Sequence, residues 1–426
     1  MSETPASPPL FDGLRVIEVG SFVAAPACAT ILGDFGADVI KIEQPGLGDL
    51  WRHQWKRPEM PQASTNFLWL LTGRGKRSIA MDLKTEEGRE LMHTLCRDAD
   101  VFVTNLPVPA RAGLGIDHET LAALNPRLVY ASFTGYGESG PERDEAGFDT
   151  TAWWARSGLM DQMRPDPDGP PAKAPAASGD QLSALSLFGG VVSALYRRER
   201  TGQGAYVGSS LLANGAWQNA VYIQAGLNGA QFRPARKRSE MWNPLNIHYR
   251  CRDDRWFMIT INPQHQALHW ASFAQVVECP ELVTDERFAG YEARLSHNVA
   301  LIAVLDAAFA RRSSADWKQR FAGTGIVTSI VAKSEDALHD AQMRANDIVV
   351  PLEGAPGAPL TVNSPFFIHG EVKRAATRAP ELGEHTDDIL REAGLNEADI
   401  ARLKRTRVVQ AATNEPTPPP SLKGTP

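Results

Sequence analysis

The chain of 426 residues carries 44 Lys+Arg against 50 Asp+Glu, a formal net charge of −6, with 43% hydrophobic and 22% charged residues. That is an ordinary globular composition, and the length suggests two or three domains of about 150 residues, enough to bury a sizeable core. The mildly acidic balance gives no electrostatic footprint for DNA or RNA, and no apolar run reaches the ~18 residues that a membrane span needs.

Met1 to Pro9 has neither a basic stretch nor an apolar core, so no secretory signal is expected. Arg15–Val19 reads as a strand, Ala24 to Phe35 as a helix closed by Gly36, and Asp38–Ile42 as a second strand. The rhythm returns with strand Ser78–Leu83, helix Thr85–Cys96 and strands Val101–Val103 and Leu128–Phe133. Strands separated by helices imply a parallel sheet with right-handed crossovers, so the fold class is α/β, doubly wound in the N-terminal half. Helices are expected over Gln181–Arg200, stopped by Thr201–Gly204, and over Leu211–Leu227. A different, α+β texture follows, with a hairpin of His248–Cys251 and Trp256–Ile261 around Arg252–Arg255 and helices at Gln266–Val277 and Ala300–Ala310. Strand character resumes at Ile348–Pro351 and Leu360–Val362, and short helices are expected at Asp387–Ala393 and Glu397–Leu403. The reading gives a large domain over 10–228, a smaller α+β domain over 229–345, a return to the large domain over 346–410, and a disordered Pro- and Thr-rich tail over 411–426. The four cysteines, Cys28, Cys96, Cys251 and Cys279, lie far apart without a CxxC pair, which points to a reducing cytoplasm.

Several chemistries are weak on inspection. Glu43 ends the second strand at a Rossmann-like distance, but Ser21 to Pro26 lacks the glycines that let a backbone approach a pyrophosphate. Gly135 to Gly140 matches G-x-G-x-x-G after a strand, yet Pro141 and a polar stretch stand where a helix N-terminus should follow. No G-x-S-x-G exists, and His265 and His269 lack the Glu of a zinc-protease helix, because Gln266 takes that place. No metal site is expected. Asp180 closes the turn Ala176–Gly179 and opens a long helix. It is either an N-cap, or a carboxylate that helix amides keep ionised and aimed outward as a nucleophile.

A set of short motifs then falls into order. Leu14–Val19 with Pro26, Leu32–Glu43, Gly46 to Asp49, Gly75–Ser78, Gly135–Pro141, Gly147–Asp149, Ser157–Met160, Gly179-Asp180, Arg200–Gly204 and Ala379–Thr386 together resemble class III CoA-transferases, the CaiB/BaiF family, over roughly residues 10 to 410. The resemblance implies a Rossmann-like large domain built from both chain ends, a smaller domain between them, and an interlaced homodimer. It makes Asp180 the nucleophile that passes through a mixed anhydride and an aspartyl-CoA thioester, with no metal and no permanently bound cofactor. Coenzyme A enters as acyl-CoA, and a carboxylic acid is the acceptor.

For the CoA site the resemblance points to Ser21 and Val23, flanked by Phe22 and Ala24, and to Gln44 in place of an arginine. It adds Lys76, Arg77, Asn105, and Arg111, which is shifted from the family's usual arginine at the position of Gly113. The glycine-rich loop of formyl-CoA transferases has no counterpart, since Arg233 to Asn246 contains no glycine. The family's racemases place a His where this chain has Phe148, so transfer is expected over epimerisation; a non-catalytic CoA-binding homologue is a further alternative. Trp153, Trp154 and Arg156 either border an acyl pocket for hydrophobic or aryl acids, or belong to the core or an interface.

Overall fold

The computed structural model describes residues 8–412, so the expected tail lies outside the described residues from 413 onward. Two compact units are present. The larger takes in the described residues up to Leu159, Lys173–Ala225 and those from Ala341 on; the smaller takes in Met160–Ala172 and Gly226–Asp340.

The larger unit is organised by a seven-stranded sheet. Its strands are β1 (Arg15–Val19), β2 (Asp38–Glu43), β3 (Arg77–Met81), β4 (Val101–Thr104), β5 (Val129–Thr134), β6 (Ala205–Ser210) and, from the far end of the chain, β13 (Val409–Gln410). The order is β13-β3-β2-β1-β4-β5-β6. All neighbours are parallel except β13, which runs antiparallel to β3 through Val409↔Met81. Strands covered on both faces read as continuous apolar runs, and Val16, Ile17, Ile79, Val101 and Phe102 are fully buried. Edge strand β6 went unread in the sequence because its residues alternate between exposed and half-buried and form no apolar run.

Helix α1 (Ala24–Asp34) crosses from β1 to β2, and Gly36, at φ 113°, reverses the chain after it. Helix α2 (Ser178–Thr201) begins after Ala177 in the left-handed region and ends on Gly202, whose N–H bonds Arg198 O. The single helix expected over Leu211–Leu227 is two, α3 (Leu211–Gln218) and α4 (Ala220–Leu227), broken at Asn219. There the side-chain amide donates to Ser157 O at 2.9 Å, a tie that pins the junction.

The smaller unit carries an antiparallel sheet of β7 (His248–Arg250), β8 (Trp256–Thr260) and β9 (Val327–Ile330), with His248 opposite Met258. Trp317, fully buried, donates its indole N–H to Phe309 O at 2.9 Å and anchors the aromatic core of Tyr249, Phe257 and Phe321. The strands expected near 348–362 do not extend the large sheet. They form β10 (Val349–Glu353) and β11 (Leu360–Val362), joined by β12 (Ala376–Thr377) in a three-stranded sheet of their own. Among the described residues no helix is long and apolar enough to cross a membrane.

Candidate functional site

The strand order turns at β1, whose neighbours are β2 and β4. In open parallel sheets, ligands bind beyond the C-terminal ends of the strands at such a switch point. Here Asn105, just past β4, closes the gap: it accepts from Ser21 N (2.9 Å) and donates to Ser21 O (2.8 Å). A cavity of about 250 Å³ opens beside this clamp, lined by Gly20, Ser21, Gln44, Leu50, Asp82 and Leu83 among others.

A buried network of polar and charged side chains reaches the cavity wall through Glu43 and Asp49. Glu18 on β1 stands beside Lys41 on β2, which stands beside Ser78 on β3, and all three are fully buried. Glu18 receives Lys41 Nζ at 2.5 Å and Lys76 Nζ at 2.6 Å. Lys41 also meets Asp49 Oδ2 at 2.9 Å. Asp49 Oδ1 accepts from Ser21 Oγ (2.7 Å), Phe22 N (3.0 Å) and Trp51 N (2.9 Å). Glu43 completes the set by accepting from Arg52, from Ser78 Oγ and from Asp49 N. Burial alone would raise the Asp49 and Glu43 carboxyls, but Lys41 and Arg52 respectively outweigh it and hold both below the ordinary range. Burial likewise opposes the Lys41 charge, yet Asp49 and Glu18 raise its pKa. For Lys76 burial wins, and its ammonium is pushed down to about 8. The effect of the network is to fix the loop after β1, including Phe22 at φ 63°.

A second group of candidate residues gathers at the start of α2. The π-helical turn Asp149–Ala155 packs against it, a rare geometry that often marks functional sites. Gly179 has no alternative at its position, because a Cβ there would sit 2.5 Å from Trp153 Cγ. Trp153 therefore packs directly against the backbone just before Asp180, and its stacking partner Trp154 is also buried. The Asp149 carboxylate faces the amides of Thr150, Ala177 and Gly179, though its Oδ2 is buried without a hydrogen-bond partner; burial is the larger influence and raises its pKa. Asp180 itself is half-buried, and burial, then the charge of Asp149, push it up to about 7.

A model of the family described as CoA-transferase family III matches residues 11–386. The chain is 30% identical over 403 residues to (R)-2-hydroxy-4-methylpentanoate CoA-transferase of Clostridioides difficile, covering 94% of this chain and 100% of that protein. It is also 30% identical over 406 residues to cinnamoyl-CoA:phenyllactate CoA-transferase of Clostridium sporogenes, covering 93% and 97%. The crystal structure of a CaiB/BaiF family protein from Brucella suis shares the fold with a TM-score of 0.79 at 30% identity, covering 91% of this chain and 100% of that one. The chain belongs to the family III CoA-transferases.

Set against this family III CoA-transferase structure, the expected site residues separate into groups. Gln44 lines the cavity. Val23, at the N-cap of α1, and Ala24, its first residue, are each only 1% exposed and do not line the cavity. Asn105 is the clamp on Ser21 rather than a free side chain. Three cations are engaged elsewhere. Lys76 is turned inward onto Glu18 and Pro26 O, drawn by the buried carboxylate. Arg77 pairs with Asp38, where β2 begins, and with Glu392, away from Gln44 past the other end of β2. Arg111 is buried and donates to Leu106 O and Ser132 Oγ. Asp180 is no N-cap: Ala177 holds that position and Asp180 sits in the first turn. Nor do the helix amides keep its pKa low, because burial and Asp149 outweigh them.

The G-x-G-x-x-G match serves close packing, since a Cβ on Gly135 would fall 2.8 Å from Gly147 Cα. The motif Ala379–Thr386 is a clamp on the charge row: Pro380 O accepts from Arg52 and Trp69, and Gly383 N donates to Ser78 Oγ. Sequence reasoning missed Asp82, Leu83 and Leu50 in the cavity wall. The general placement of ligands beyond the strand ends would have found Asp82 directly after β3.

Replacing Glu18 by Gln leaves two buried ammonium groups short of their partner and is expected to cost about 3–5 kcal/mol in urea denaturation, against about 1 kcal/mol or less for the half-exposed Arg77→Ala. A 13C-carboxyl NMR titration, assigned with Asp180→Asn, is expected to find Asp180 titrating at about 7 and moving down in Asp149→Asn. Because this folded-state value lies above that of an unfolded aspartate, protonated Asp180 contributes stability that is complete below about pH 4 and lost as the pH rises through about 7.

Proposed function

We propose that this enzyme moves CoA from an acyl-CoA to a carboxylic acid, with Asp180 as the covalent nucleophile and the cavity beyond β1, β2 and β3 as the seat of the CoA nucleotide. The single observation that carries this reading is the placement of Asp180: first turn of α2, half-buried, its backbone fixed by Trp153 over Gly179 and its basicity raised by burial and Asp149. A carboxylate of raised basicity is a better nucleophile, and near neutral pH a large fraction of it is ionised.

The steps balance without an external oxidant or metal. An Asp180 oxygen attacks the thioester carbonyl, the C–S bond breaks, and CoA leaves as thiolate with a mixed anhydride on Asp180. The thiolate then attacks the Asp180 carbonyl carbon, releasing the donor acid as carboxylate and leaving an aspartyl-CoA thioester. The acceptor carboxylate reverses the sequence. Phe148, directly before Asp149, supplies no acid–base group, which separates this reading from epimerisation at the α-carbon. By their names, two relatives act on branched or aryl 2-hydroxy acids and cinnamoyl-CoA, and others of similar identity on succinyl-CoA with glutarate or D-citramalate, so an apolar acyl class is argued from the site and not from the relatives.

We also propose that the functional form is an interlaced homodimer. Helix α4 reads AVYIQAGL and has no buried residue; Val221 is 78% exposed and Trp217, near it at the end of α3, is 83% exposed. Apolar exposure of that kind is the signature of an association surface.

Incubation with a panel of acyl-CoAs, followed by intact-protein mass measurement, is expected to show an acyl- or CoA-sized adduct on the wild type and none on Asp180→Ala; an adduct that persists in Asp180→Ala contradicts the assignment. In light scattering the wild type is expected to have the mass of a dimer, and Trp217→Asp combined with Val221→Asp to shift it toward monomer.

A further inference from the structure

We propose that Phe22 and Phe148 form an aromatic wall that selects apolar, above all aryl, acyl groups for Asp180; the inference rests on the transferase reading and deepens it to a substrate class. The two rings stand 6.0 Å apart at an interplanar angle of 85°, edge to face, and Trp51 closes behind Phe22 at 6.1 Å and 62°. Edge to face is a preferred arrangement of aromatic pairs at this spacing, and apolar surface left in solvent is a place where a further apolar group can bind.

Neither phenylalanine is placed as ordinary core. Phe148 is 56% exposed, although it is the residue directly before Asp149 and the turn that carries Asp180. Phe22 occupies the left-handed region at φ 63°, where a bulky residue is an outlier, and it stays there because Asp49 Oδ1 holds its N–H at 3.0 Å. Strain that a buried ion network maintains is spent where a side chain must be aimed.

The chain positions decide what the wall meets. Phe22 follows Ser21, which lines the cavity, and Phe148 precedes Asp149, whose charge acts on Asp180. In this proposal a thioester with its nucleotide in the cavity and its carbonyl at Asp180 runs between these two chain positions and lays its reactive end along the rings. The tryptophans that the sequence offers for this task are committed elsewhere: Trp153 covers Gly179, and both Trp153 and Trp154 are buried. An apolar acyl group removes ring surface from water, whereas acetyl leaves it wet.

The test compares rates of adduct formation at Asp180 from 3-phenylpropionyl-CoA and from acetyl-CoA, by quenched intact-mass measurement, in the wild type, Phe148→Ser and Phe148→Leu. The wild type is expected to favour the aryl substrate. Phe148→Ser should lower that preference about tenfold, chiefly through loss with the aryl thioester, and Phe148→Leu by a smaller factor. Since Phe148 is exposed, both variants are expected to keep the wild-type melting temperature. An unchanged ratio, including an equal loss with both thioesters, overturns the wall alone. Absence of any adduct from either thioester in the wild type contradicts the transferase reading and the wall with it.

Discussion

A row of buried charged and polar side chains inside an apolar parallel sheet is the constraint on which the rest of the site depends. Glu18, Lys41 and Ser78 stand side by side on β1, β2 and β3, at positions where such sheets ordinarily hold valine or isoleucine. Each buried charge is expensive unless paired and hydrogen-bonded. Here the set balances, with Glu18, Glu43 and Asp49 against Lys41, Arg52 and Lys76. Replacing the whole set by apolar side chains of similar volume could give a sheet as stable. Such a sheet would have no Asp49 to grip Ser21 and Phe22, and so no defined loop beside the cavity.

The same network explains why motifs far apart in the chain belong together. The segment Gly46–Asp49 supplies the carboxylate that holds the loop, Lys76 supplies one cation, and Ala379–Thr386 closes over Arg52 and Ser78 from the other end of the chain. The C-terminal strand β13 then pairs with β3. The chain ends thus serve the first βαβ unit, and the smaller unit has a sheet and an aromatic core of its own.

Much of the fold was legible because its signals are local. Apolar runs give β1 through β5, and helices show their stops in residues such as Gly36 after α1 and Gly202 after α2. What escaped reading depends on distant partners. Edge strand β6 has no apolar run, and the break at Asn219 is made by Ser157, 62 positions away. The site was legible only in part for the same reason. Asp180 is conspicuous as an acid between small residues and a long helix, but its raised basicity comes from burial first and then from Asp149, neither of which sequence spacing displays. Lys76 and Arg77 look alike in sequence, yet one faces Glu18 in the interior and the other Asp38 and Glu392 near the surface. A cation's partner is set by the register between strands, which no local pattern encodes.

The central claim is that the Asp180 carboxylate exchanges bonds with the substrate acid, and its oxygens offer the most direct test. The enzyme is given 3-phenylpropionyl-CoA together with 3-phenylpropionate carrying 18O in both carboxyl oxygens, and the peptide containing Asp180 is then analysed by mass. When the labelled acid attacks the aspartyl-CoA thioester and CoA is returned to the acyl carbon, one labelled oxygen remains on Asp180. The account predicts 18O in that peptide after turnover. Exchange of CoA between the acids with no label on Asp180 would contradict it.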